Sequence, residues 1–117
     1  MTQLAPGYKK YKTDKYEIIV QEKTGFVNAT KICQKFNKKF ADWCQNKNTK
    51  EYIKLAEQKF NCKVSNVSKG GQIREINGTY LHPALLTYLA CWISPGFALQ
   101  CSVWIEEWKL IENNSER

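Results

Sequence analysis

Two prolines set the frame for this chain. Pro83 and Pro95 each follow a residue suited to capping a helix, His82 and Ser94, and each opens a run with helical spacing. The first run, residues 83–93, is nearly all apolar (Leu85, Leu86, Tyr88, Leu89, Ala90, Trp92). A helix of that composition is stable in water only when protein surrounds it. The second run places Phe97, Cys101, Trp104, Ile105, Trp108 and Ile111 at i, i+4, i+7, i+8, i+11 and i+14, a long amphipathic helix. Its tryptophan stripe is expected to pack inward, with a self-association face and a homodimer kept as the alternative. The residues before His82 must therefore supply the cover for a central helix.

Their pattern changes period twice. Residues 16–22 are a β-branched run, Lys23-Thr24-Gly25 offers a turn, and Phe26-Val27 resumes an extended stretch, which predicts an opening hairpin. Asn28 is a fair N-cap for a helix over 29–37, with Ala29, Ile32, Cys33 and Phe36 on one stripe and Lys31, Lys35 and Lys38 outside it. A second short helix over 39–46 groups Phe40, Trp43 and Cys44. Asn48 and Glu51 have capping-box spacing, which predicts a third helix from about Thr49 that buries Tyr52, Ile53, Ala56 and Phe60. From Cys62 the alternation around Val64 and Val67, the Gly70-Gly71 turn and the return over 72–76 predict a second hairpin. Asn77-Gly78 is a further turn signal before a third strand over 79–81. These elements make an α+β, compact single domain spanning 1–117, with a core over about 16–112. The expected order is an N-terminal hairpin, three short helices, a β-hairpin and two C-terminal core helices. Residues 1–15 read as a basic N-terminal arm and 113–117 as a frayed tail.

Charge is the first functional clue. Residues 1–75 hold 16 Lys/Arg and 7 Asp/Glu, net +9, whereas residues 76–117 hold 2 and 4, net −2. A fold so polarised attracts a polyanion to one side. Charge alone leaves DNA, RNA and an anionic membrane open. The apolar stretch over 84–108 is interrupted by Ser94, Pro95, Gly96, Gln100 and Ser102, so no membrane span is expected. No secretory signal is read at the N-terminus, so the expected location is intracellular and the N-x-S/T sites at Asn28, Asn66, Asn77 and Asn113 count as ordinary asparagines. The five cysteines, Cys33, Cys44, Cys62, Cys91 and Cys101, include no C-x-x-C pair and are expected to be reduced and buried. With His82 the sole histidine, no zinc or other metal site, no cofactor and no catalytic residue is expected. Gly70-Gly71 lacks the Gly-Lys-Ser/Thr of a phosphate-binding loop.

The remaining polar residues suit nucleic acid. Lysine and arginine neutralise phosphates and release counterions, asparagine and glutamine read adenine edges, and glycines let a backbone approach a phosphate. The candidate DNA-contacting residues are Lys31, Lys35, Lys38, Lys39, Gln45, Asn46, Lys47, Lys50, Ser68, Lys69, Gln72 and Arg74. The expected partner is double-stranded DNA, contacted largely through phosphates. RNA or single-stranded DNA is the alternative, with Tyr8, Tyr11 and Tyr16 as a stacking platform among Lys9, Lys10, Lys12 and Lys15.

Several short motifs stand in a specific order: Gly25-Phe26-Val27-Asn28-Ala29-Thr30-Lys31, Phe40-Ala41-Asp42-Trp43, Gly78-Thr79-Tyr80-Leu81-His82-Pro83 and Leu89-Ala90-Cys91-Trp92-Ile93-Ser94-Pro95, then Phe97-Ala98 and Trp104-Ile105. Together they resemble the KilA-N domain, a DNA-binding module of large DNA viruses and phages that is similar to the fungal APSES domain. The APSES-like part is 67–83. The resemblance implies a helix-turn-helix-like unit over 29–60, a wing formed by the 62–76 hairpin, and structural roles for the motif residues: Asn28 caps, Phe26 and Thr30 orient the entry, Trp43 packs and Pro83 starts the core helix. It further implies a viral protein acting in the host cytoplasm or nucleus. Members often carry a further domain, such as a RING finger, downstream.

Overall fold

A computed structural model describes residues 2–68 and 73–115, with side chains described over 5–68 and 73–110. Strands β1 (Thr2–Ala5), β2 (Tyr8–Lys12), β3 (Glu17–Gln21) and β4 (Val27–Asn28) lead into helices α1 (Ala29–Lys35), α2 (Phe40–Gln45) and α3 (Lys47–Phe60). Strand β5 (Ser65–Ser68), a 3-10 turn (Arg74–Ile76) and strand β6 (Gly78–Leu81) follow, and α4 (Pro83–Ile93) and α5 (Pro95–Ser115) complete the chain. The six strands form one antiparallel sheet in the order β1-β2-β3-β4-β6-β5. This is the expected compact α+β domain.

Helix α4 explains its own composition. Leu86 and Ala90 join Ile18, Val20, Val27, Ile32, Phe97, Cys101 and Trp104 in one core. Leu85 and Leu89, on its other flank, join Ala29, Cys33, Trp43, Ala56, Val64 and Leu81 in a second. The helix lies between the two, and only a narrow outer strip with Ala84 and Cys91 reaches solvent. Full burial of Leu85, Leu86 and Leu89 contributes about 1.5–3 kcal/mol each. Strand β3 alternates as a sheet requires: Ile18 and Val20 face α4 and α5, while Ile19 meets Phe26, Tyr80 and Tyr8 on the far side. Trp104 is buried and Trp108 packs edge-on against Tyr11, centroids 5.2 Å apart, so the tryptophan stripe of α5 belongs to the interior.

Five expectations are corrected. The basic arm is not outside the fold: residues 2–12 form β1 and β2, turned at Gly7 (φ +84°) and paired onto β3. Residues 8–12 contain no β-branched side chain, and pairing with β3 rather than propensity holds them. At the other end α5 runs on to Ser115, through most of the expected tail. The partner of β5 is β6, in the register Ser65↔Leu81 to Ser68↔Gly78, and residues 74–76 form a 3-10 turn instead of a return strand. The Gly70-Gly71 tip lies outside the described residues. Helix α3 starts at Lys47 with Asn46 as its N-cap, so Asn48 and Glu51 are helical residues and not a capping box. Its inner face is Thr49, Ile53 and Ala56. Tyr52 and Phe60 lie exposed at its edge, stacked on Tyr88 (4.3 Å) and His82 (4.7 Å).

Candidate nucleic-acid interface

The entry to the helical unit is held by side chains that bridge distant backbone. Asn28, fully buried, accepts from the Lys31 N–H through Oδ1 at 3.0 Å and donates through Nδ2 to the Asn77 carbonyl at 3.1 Å. The Thr30 hydroxyl accepts from the Thr79 N–H at 2.9 Å. One pair of short side chains thus caps α1 and fixes the 74–79 segment beside it. Trp43 is buried between Phe40 and Tyr88. These residues hold the helical unit against the sheet.

The candidate contact residues separate into two groups. Around the α2–α3 junction, Lys39 caps α2, Gln45 ends it, Asn46 joins the helices, and Lys47 and Lys50 occupy the first turns of α3, all exposed. Asn46 makes no side-chain cap bond, so it leaves the first amides of α3 uncapped. Lys54, one turn beyond Lys50, extends the row and was missed by the sequence reading. Its signal was the spacing i, i+3, i+7 from Lys47. Among the described residues, none of Lys47, Lys50 and Lys54 makes an ion pair.

The second group surrounds α1. Lys35 pairs with Glu17, whose carboxylate also lies 3.7 Å from Lys10, and Lys10 is in turn 3.7 Å from Glu75. Burial first, and then Lys10 and Lys12 nearby, push the Lys35 ammonium down from its usual pKa. Arg74 is exposed in the adjoining 3-10 turn, and Lys31 is half-buried on α1. Two candidates are already engaged elsewhere. The Lys38 ammonium sits over the Trp92 ring, 4.6 Å from its centroid, and the Ser68 hydroxyl is 3.0 Å from the Tyr8 hydroxyl. Lys69 and Gln72 lie outside the described residues.

The tyrosine platform is not assembled. Tyr8 packs on Tyr80, Tyr11 on Trp108, and Tyr16 on Phe36 and Phe97. Alternation along β2 sends Tyr8 and Tyr11 to opposite faces. His82 caps α4 through Nδ1, which accepts from the Ala84 N–H at 3.0 Å, and its ring lies against Phe60 and Phe26; burial lowers its pKa. The cysteines are free thiols, but only Cys33 and Cys101 are buried. Burial pushes those two thiols up to about 11 and about 12. Cys62 and Cys91 are exposed because they sit past the end of α3 and on the outer side of α4. No described helix is long and apolar enough to cross a membrane.

The sequence profile of the KilA-N domain matches residues 11–110. A KilA-N domain-containing protein of Acanthamoeba polyphaga mimivirus is 39% identical over 111 residues, covering 88% of this chain and 31% of that protein. One from Invertebrate iridescent virus 6 is 33% identical over 94 residues, covering 74% of this chain and 27% of its own length. An uncharacterized protein of Fowlpox virus (strain NVSL) is 32% identical over 89 residues, covering 74% and 31%. The chain thus spans about a third of these relatives. No solved structure matches it. With the profile covering all but its ends, and with the motif residues performing the capping and packing described above, the chain belongs to the KilA-N domain family.

Proposed function

We propose that this domain binds double-stranded DNA, presenting the α2–α3 junction to the major groove and the β5–β6 hairpin, as a wing, to phosphates or the minor groove. The observation that carries the reading is the row Lys47, Lys50 and Lys54 on an exposed helix, beside Lys39, Gln45 and Asn46. A 14-residue helix is about 21 Å long and of a diameter the major groove admits. Lys31, Lys35 and Arg74, with the wing residues Lys69 and Gln72, supply a second line of contacts. The packing of Tyr8 and Tyr11 on opposite faces of the sheet disfavours a shared single-strand platform, and the burial of Trp104 disfavours self-association through the α5 stripe. The domain works as a binding module and not as an enzyme. The structural duty of His82 supports that view. As in its viral relatives' hosts, its setting is the infected cell.

The test is a mobility-shift titration on random-sequence duplex at two salt concentrations, with single-stranded competitor. Affinity falls linearly in log-log with salt, and duplex outcompetes single strand. Salt-independent binding, or displacement by single strand, overturns the proposal.

A further inference from the structure

The β2–β3 turn and the C-terminal end of α1 enclose a cleft of about 330 Å³, within the size range of small-ligand sites. Its inner wall is aromatic. Tyr16, Phe36 and Phe97 pack on one another with centroids 5.3 to 6.1 Å apart, and Ile32 lies beside them. Tyr16 and Phe36 are only half-buried and line the cleft. The rim carries Lys12, Lys15 and Lys35 together with Asp14 and Glu17. Lys35 is held by Glu17, whereas Lys12 and Lys15 are exposed and make no ion pair among the described residues. Burial, and after it the nearby Lys10 and Lys12, lower the Lys35 pKa, so the rim brings several lysines close together.

A free phosphate would leave the ring wall unused, and an uncharged aromatic would leave the lysines unused. A nucleotide uses both. We propose that this cleft takes one unpaired nucleotide, its base against the Tyr16 and Phe36 wall and its phosphate on Lys12 and Lys15. Asp14 is an acceptor for a base amino group. The inference rests on the nucleic-acid reading above and names a ligand for a surface that reading does not use. The nucleotide can come from a duplex end or from solution.

Four probes separate these sources: a blunt duplex, the same duplex with a one-nucleotide overhang, that overhang made abasic, and free deoxyguanosine monophosphate followed by amide shifts. The overhang binds about tenfold more tightly than the blunt end, a stacking-sized gain, and the abasic form loses it. Lys15→Ala and Tyr16→Leu abolish the gain while blunt-duplex affinity stays. Shifts at residues 12–16 with free nucleotide, without an overhang preference, support the cleft and identify solution as the source. Overhang or nucleotide binding without blunt-duplex binding supports the cleft and defeats the groove reading. Equal affinity for all three duplexes with no amide shifts overturns the cleft and leaves duplex binding intact.

Discussion

Asn28 and Gly78 are fitted to each other: a Cβ on Gly78 would stand 2.6 Å from Asn28 Oδ1 and 3.0 Å from the Thr30 Cβ. The glycine φ is +143°, a conformation other residues rarely adopt. Helix α1 and strand β6 therefore approach only because position 78 has no side chain. Gly78→Ala is expected to cost about 2 kcal/mol or more. Asn28→Ala removes a helix cap and leaves the Asn77 carbonyl without its donor, with an expected cost of about 2–3 kcal/mol. Urea unfolding measures both, and unchanged midpoints would show that the 74–79 segment is not docked on α1.

The lysines of α3 are solvated, so removing them is expected to change binding without changing the fold. Lys47→Ala and Lys50→Ala each lower the salt slope of duplex affinity by about one, with an unaltered melting temperature. Lys38→Ala is the contrast. Its ammonium rests on Trp92, so it loses about 0.5–1 kcal/mol of stability and little affinity. Anisotropy titrations beside thermal melts separate the two classes.

His82 makes stability depend on pH. Its Nδ1 accepts the Ala84 N–H only when unprotonated, and burial lowers its folded pKa below the unfolded value of 6.5. The unfolded chain then binds the proton first, so the contribution is fully present above 6.5 and lost as pH falls through the folded pKa. The difference in stability between wild type and His82→Asn is expected to shrink between about pH 7.5 and about pH 5. Asparagine keeps a cap acceptor that does not titrate. Parallel curves across that window would exclude His82 as the titrating group.

Trp104 is 4% exposed within the core shared by β3, α4 and α5. Trp104→Ala is expected to cost about 3–5 kcal/mol, read by chemical denaturation, without dissociating any oligomer. Leu99→Ala, on the exposed side of the same helix, is expected to stay within about 0.5 kcal/mol of wild type. A dimer that Trp104→Ala splits into folded monomers would move the stripe to an interface.

The sequence by itself determined the helices, and the caps of α1 and α4. Asn28, His82 and the prolines at 83 and 95 act within one turn of their own positions, and the stripes of α1, α4 and α5 follow from helical period alone. It also determined the family, because the motif residues are the caps, turns and core packers themselves. Tertiary structure decided the rest. Strand β2 exists because β3 lies beside it, and β5 chose β6 over the nearer residues 72–76 because Val64 and Leu81 bury together against α4. The fate of each lysine was likewise invisible. Lys35 meets Glu17 and Lys38 meets Trp92, while Lys47, Lys50 and Lys54 remain solvated. A lysine's partners come from whichever element folds next to it, and residues far apart in sequence supply them.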